Sequence, residues 1–570
     1  MPDGVMSTTR VATEESFSRS AGKQLAIYAL AAVVLLALLM WLLNLLASLT
    51  ASVTGSSTAV DAAANTITIR LTEEPPQLDT TLLTDAVSGV VIAHVMEGLL
   101  RYDQHQRLAP GMAERWEIDA ERAVFHLRHA LWNDGEPVTA HDFVFAWRTA
   151  LDPANASEYA FILYPIRNAE AINRGELPVD ALGARAEGDR TLVVDLERPV
   201  AFFDKLTAFS TFYPVRQDFY EAANGRYGAD ADQLLYNGPF VMESWVHGQS
   251  LDLRKNPRYW DRDRIRLDRI NVAYIVSDAN AVLNLFKDGK IALASLTAEN
   301  LAEAMEQRWH IERFMDGAVF FIEFNHRPER LTRNRNLRKA MMLAQDPNEL
   351  VYKVIKIPGY LPGESLFPVF LDGVRGKFRE EYPAPVHRMD IPRARRHLEQ
   401  ARIELGLEEF PPLVMLTGDN PVSNIQSEYF QAVFRKNLGL DIRIDRQIFK
   451  QRLDKMTKGQ FDLVLAGWGP DYNDALTYGD LFASWNLNNR GRYANPEYDR
   501  LVRIAQGSLD PKVRMDAFDG MQQIIYEDAV LIVNYERGQA YVSDPRVKGI
   551  VRRAVGAEQD YTYAYIDADG

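Results

Sequence analysis

The sequence predicts an α/β protein of at least two lobes, carried on an N-terminal membrane helix. Three observations lead there. The chain has 570 residues, more than one hydrophobic core organises. After residue 65 short apolar strands alternate with amphipathic helical patterns. Before it, an uncharged apolar run of bilayer-spanning length stands alone near the N-terminus.

Residues 1–24 are polar and rich in Ser and Thr, a tail without core-forming residues. Leu25 to Leu49 follows, with Tyr28 and Trp41 near the two ends of its densest part. About 20 residues at 1.5 Å each cross a bilayer's hydrocarbon layer, so the run reads as an anchor. Arg19 and Lys23 flank its N-terminal side and the next cation beyond it is Arg70, which leaves the tail in the cytoplasm and the bulk outside. The alternative is a cleaved signal peptide with small residues around Ala47 to Ser52. Residues 50–65 form a tether that could span roughly 50 Å if fully stretched.

The remainder opens on Thr66 to Leu71, whose Ile67, Ile69 and Leu71 alternate as on a half-buried strand. An apolar helix is expected around Val90 to Leu100, a strand at Ala123 to Leu127 and a turn at Asn133-Asp134-Gly135. His126 and His129 would face opposite sides of an extended strand, which argues against a shared metal. Thr139 and Asp142 have capping-box spacing, and the helix they start carries Phe143 and Trp147 on one face and stops by Asp152-Pro153. Further strands are expected at Thr191 to Leu196, Leu251 to Leu253 and Ile270 to Ile275. Further helices are expected at Asn280 to Phe286, Leu337 to Ala344, Ala394 to Leu405, Ile425 to Leu438, Tyr498 to Ala505 and Arg514 to Tyr526. Val414 to Leu416, Ile442 to Ile444 and Phe461 to Leu465 read as parallel strands linked by helices.

Composition narrows function. With 47% hydrophobic and 25% charged residues the bulk is globular, and a formal charge of −14 argues against a nucleic-acid partner. The absence of cysteine excludes disulfides, thiolate metal sites and a cysteine nucleophile. GxSxG, HExxH, GxxxxGK[ST] and GxGxxG are all missing, so no catalytic or nucleotide motif supports an enzyme; a hydrolase triad dispersed over the fold would leave no such trace.

One stretch stands out: FDLVLAGWGPDYNDA from Phe461. Leu463, Val464 and Leu465 suit a strand packed on both faces, and Gly467 and Gly469 suit backbone passing close to a neighbour. Asp471, beside Trp468 and Tyr472, could meet a ligand ammonium; equally, an Asp at a strand end could be an ordinary turn or cap. A calcium loop is a poorer reading still, because position 475 is Ala and no bidentate Glu follows at the required distance.

Several stretches together resemble the solute-binding proteins of peptide importers driven by ATP-binding cassettes. They are LAPGMAERWEI (108–118), FHLRHALWNDGEPVTAHDFVFAWRTALDP (125–153), YNGPFVMESW (236–245), NPRYWD (256–261), NLRKAMMLAQD (336–346), FDLVLAGWGPDYND (461–474) and NPEYDRL (495–501). The resemblance implies a two-lobed flytrap of the class II, cluster C periplasmic-binding type: one lobe from 66–323 plus 535–570, with a subdomain at about 101–212, and a second from 324–534. It implies a non-enzymatic, monomeric receptor without cofactor that binds oligopeptides in the cleft and delivers them to a permease and ATPase. With its anchor, such a protein would sit on the inner membrane, single-pass, with the globular part in the periplasm. The same fold binding a non-peptide or cell-wall-derived solute is the alternative, a chaperone or hydrolase a more distant one.

The resemblance also assigns residues. Asp471 matches the aspartate that meets the peptide α-ammonium. Trp468, Tyr472, Asn473 and Gly467 belong to the same segment. Phe449 falls where an aromatic is common, Tyr159 lies in a ligand-contacting stretch (SEYAFILYP), and Asn237 and Gly238 belong to YNGPF. Peptide would be held extended by main-chain hydrogen bonds, its side chains entering hydrated pockets. Three positions depart from the pattern. Leu465 and Met456 stand where arginines serve the peptide carboxylate, and Ser88 stands where a carboxylate lies near the peptide.

Overall fold

A computed structural model describes residues 58–83, 85–385 and 388–567. The expected tail, the Leu25–Leu49 anchor and most of the tether lie outside the described residues, among which no helix is long and apolar enough to cross a membrane.

The chain builds three larger sheets. The first has five strands in the order Val60–Asp61, Thr66–Leu71, Arg269–Ile275, Ser250–Lys255, Phe240–Val246. Thr66–Leu71 sits inside it, antiparallel to Val60–Asp61 and parallel to Arg269–Ile275. That position corrects the half-buried expectation. Thr66 and Thr68 face a covered side and are buried, which their hydroxyls tolerate by donating to the Ala64 and Thr58 carbonyls at 3.0 and 2.7 Å. A four-stranded antiparallel sheet, Ala113–Ile118, Arg122–Leu127, Thr191–Asp195 and Ala184–Ala186, packs against the helix Ala140–Leu151. In that helix the Asp142 carboxylate accepts the Thr139 N–H at 2.8 Å, as the capping-box spacing predicts, and Phe143 and Trp147 are buried side by side.

The largest sheet has seven strands. Leu293–Leu296, Leu531–Ser543, Glu312–Phe324, Leu463–Trp468, Leu413–Gly418 and Ile442–Gln447 follow in order, and Leu361–Pro362 adds to Leu531–Ser543. The three strands expected to be parallel are so: Leu413–Gly418 pairs in parallel with Ile442–Gln447 and with Leu463–Trp468. Sequence did not reveal the antiparallel partner on the other edge of Leu463–Trp468. It is Glu312–Phe324, which with Leu531–Ser543 forms a pair of 13-residue strands. The lobe limits expected at 323/324 and 534/535 fall on these two strands.

Two groups of boundaries moved. The helix expected over Val90 to Leu100 spans Ala86–Val95, and the chain turns extended at Met96. The Asn237 side chain stops it there by taking both the N–H and C=O of Glu97, at 3.0 and 2.9 Å. Four later helices begin about two to four residues before the first periodic residue, at Ile391, Pro421, Pro496 and Pro511. In each an Asp or Asn caps, and a Pro occupies the first or second position, where its missing N–H costs nothing.

Candidate functional site

The strand Leu463–Trp468 delivers a loop that closes into the short helix Leu476–Gly479. The loop is fixed mostly by its own residues. Asp474 N–H donates to the Tyr472 carbonyl at 2.8 Å, Leu476 N–H to Asp474 Oδ1 at 3.0 Å, and Asp471 N–H to Thr477 Oγ1 at 3.2 Å. From below it is held by a bulge in Glu312–Phe324. Gly317 there has φ +76°, and a Cβ would come within 2.7 Å of the Phe370 ring and 3.1 Å of Pro470, so the chain needs glycine for this loop to seat. The Tyr478 hydroxyl donates to the Gly317 carbonyl at 2.6 Å and completes the attachment.

Asp471 projects from this loop into a cavity of about 260 Å³. The opposite walls come from Asp85 and the first turns of Ala86–Val95, from Tyr159, from Lys205 to Tyr213, and from Ala554 to Ala557. Among the described residues the Asp471 carboxylate has no hydrogen-bond donor, and burial alone pushes its pKa up to about 6. Burial first, and then the Asp471 charge, raise the Tyr159 hydroxyl as well, which places the phenol in that carboxylate's field. Tyr159 stacks on Phe209, with ring centroids 5.5 Å apart, and gives the cavity an aromatic wall.

The neighbouring carboxylates are treated differently. Asp474 is buried, and burial alone would raise it, but Arg514 grips it with two hydrogen bonds of 2.6 and 2.8 Å and holds it below the usual carboxylate range. Among the described residues no arginine grips Asp480 in this way; burial, with Asp471 nearby, pushes it up to about 7.

Of the residues singled out from sequence, Asp471 and Tyr159 line the cavity. Tyr472 instead stacks flat on Phe202, 4.9 Å between centroids and 5° between planes, and Asn473 lines a second cavity of about 260 Å³ beside Asp474. Trp468 turns its indole N–H toward Thr477 Oγ1 at 3.5 Å. Gly467 lies within its strand under Phe320, whose ring a Cβ would meet at 2.6 Å; Gly469, expected to make a similar approach, has open space around it. Asn237 is spent on Glu97, and Gly238 lets the chain pass the Met96 backbone, where a Cβ would come within 2.6 Å. Phe449 begins the helix Phe449–Thr457, and its side chain lies outside the described residues.

Sequence reasoning missed Asp85 and Lys205. Asp85 caps Ala86–Val95 through Oδ1, which accepts the Ser88 N–H at 2.8 Å, and its Oδ2 is buried without a partner among the described residues. Its position ahead of an apolar helix was the available signal. Lys205 sits in FFDKL, where nothing distinguishes it from a surface lysine.

These sheets, the long paired strands and the loop-borne carboxylate facing a cavity define a mixed α/β binding protein of the periplasmic, cluster C type. The substrate-binding domain of an oligopeptide ABC transporter from Bacillus anthracis strain Ames superposes with a TM-score of 0.73 at 34% identity, covering 90% of this chain and 99% of that one. Listeria monocytogenes OppA bound to peptide superposes at 0.72 with 29% identity, over 89% of this chain and 99% of its own. The family of bacterial extracellular solute-binding proteins, family 5, matches residues 107–489, and the chain belongs to it. Consistent with that membership, the oligopeptide-binding protein OppA of Bacillus subtilis (strain 168) is 30% identical over 508 residues, 86% of this chain and 91% of that protein. The chain is thus an extracytoplasmic solute-binding protein.

Proposed function

We propose that the protein binds peptides in the cleft beside Asp471 and passes them to the permease and ATPase of an ABC importer, without covalent chemistry. The observation that carries this reading is the Asp471 carboxylate, which faces a cavity and, among the described residues, has no hydrogen-bond donor or ion-pair partner. A buried anion is costly until a counter-charge meets it, and a peptide α-ammonium supplies one. A ligand without a cation would leave the cost standing. The names of the similar proteins support the cargo, and the 470–475 loop supports the residue.

In this reading two lobes, 66–323 plus 535–570 and 324–534, close over the ligand, and the paired strands Glu312–Phe324 and Leu531–Ser543 connect them. Leu25–Leu49 tethers a monomer to the inner membrane, with the globular part in the periplasm. Mass spectrometry of protein purified from its native host tests the cargo. Free α-amino peptides should dominate the co-purified material, and a recovered ligand lacking any cationic group would overturn the reading.

A further inference from the structure

A peptide brings a carboxylate as well as an ammonium, and the arginines that the resemblance would use for it are absent. Leu465 and Met456, which stand at those positions, are both in the apolar interior. Arg553, near the cavity wall, is committed to Asp560 with contacts of 2.6 and 3.1 Å. Among the described residues lining the cavity with Asp471, Lys205 is the sole Lys or Arg.

Lys205 has donors to spare. Its nearest carboxylate oxygen is Asp474 Oδ2 at 3.7 Å, beyond hydrogen-bond length, and that carboxylate already takes two bonds from Arg514 and one from the Leu476 N–H. An ammonium carries three donors, and Nζ of Lys205 makes no hydrogen bond among the described residues. The side chain remains 30% exposed. It also lines the second cavity, with Asn473 and Arg514, so it stands where the two spaces adjoin.

We propose that Lys205 receives the carboxylate of a short peptide whose ammonium meets Asp471, so that the cavity selects small zwitterionic peptides. The proposal rests on the peptide-binding reading above. Longer chains run past Lys205 into the second cavity and lose this contact.

Calorimetry on the parent, Lys205→Met and Asp471→Asn tests it with alanine peptides of two to five residues, each as free acid and as C-terminal amide. At the best-binding length the parent should prefer the acid about tenfold, the scale of one charge-assisted hydrogen bond. The preference should fall to about twofold or less in Lys205→Met, whereas Asp471→Asn should weaken acid and amide alike and keep their ratio. A purely structural role for Lys205 would shift both ligands together and leave the ratio unchanged. Equal affinity of the parent for acid and amide at every length, or a preference surviving in Lys205→Met, overturns the assignment of Lys205 and leaves the role of Asp471 standing. Failure of the parent to bind any of these peptides overturns the peptide-binding reading, and this proposal with it.

Discussion

Asp471→Asn should make the ligand-free protein more stable at neutral pH while weakening its hold on ligand. In the folded chain the carboxyl titrates near 6 instead of 3.8, because burial disfavours its charged form. The folded state therefore holds that proton more tightly than the unfolded state does. The stabilisation this provides is complete below about pH 4, is lost as pH rises toward 6, and above 6 the fold bears the full cost of the buried charge. A shift of that size corresponds to roughly 3 kcal/mol. Asp471 keeps an open side toward the cavity, so solvent screening lowers the expected gain from an uncharged isostere to about 1–3 kcal/mol. For a chain of this length that is a rise in Tm of roughly 1–3 °C. Scanning calorimetry of the ligand-stripped protein at pH 7.5 and pH 4 measures it, and the difference between parent and variant should vanish at the lower pH. A variant no more stable than the parent at pH 7.5, or equally stabilised at both pH values, would refute the account of Asp471 as an unanswered buried charge.

The same titration governs binding. A ligand ammonium needs the ionised carboxylate, so the dissociation constant should rise about tenfold per pH unit below 6, with proton release seen in calorimetry across buffers of different ionisation enthalpy; flat affinity from pH 7 to 5 would contradict this. Phe202→Ala removes the ring under Tyr472 and should speed ligand dissociation about fivefold, from the roughly 1 kcal/mol of such a stack, read by stopped-flow tryptophan fluorescence. An unchanged off-rate would mean the stack plays no part in keeping the cleft shut. Arg514→Met strands Asp474 and should lower stability by about 3–5 kcal/mol in chemical denaturation, most of it recovered when Asp474→Asn is added. Additive losses in the double variant would show that the two side chains act independently.

How much of this was legible in the sequence follows from the range of the interactions involved. Strands such as Arg122–Leu127 and the helix Ala140–Leu151 stand where alternation and the Thr139/Asp142 box put them, because both signals act over a few residues. The starts of the later helices at Ile391, Pro421, Pro496 and Pro511 are written in Asp-Ile-Pro, Asn-Pro and Asp-Pro, which stand ahead of the first apolar period and so outside the periodic signal. The end of Ala86–Val95 was not local at all. It depends on an asparagine at position 237, and no window around Met96 contains that residue. The same holds for the cavity, whose walls are gathered from residues near 85, 159, 205, 471 and 555. Asp471 was visible as a carboxylate on a glycine-rich loop; that it lacks a partner among the described residues is a property of everything around it.

That lack acquires meaning from the rest of the loop. Within ten residues the chain presents Asp471, Asp474 and Asp480, and it settles only one of them. Arg514 neutralises Asp474 and, with the Tyr478 hydrogen bond to Gly317, seats the loop without help from ligand; the flat contact of Tyr472 on Phe202 instead joins the loop to the far wall. Asp480 and Asp471 keep raised pKa values, each charge worsening the position of the other carboxylate or of the phenols around it. A single ammonium placed against Asp471 relieves that carboxylate and also removes its contribution to the rise at Asp480, whose larger cause is burial. The ligand therefore gains more than one ion pair from a loop that is otherwise fully held, and it gains this only while the cavity excludes water. Rehydrating Asp471 is the competing way to lower the same cost, which is why the empty protein should favour an opened cleft and the loaded one a closed cleft.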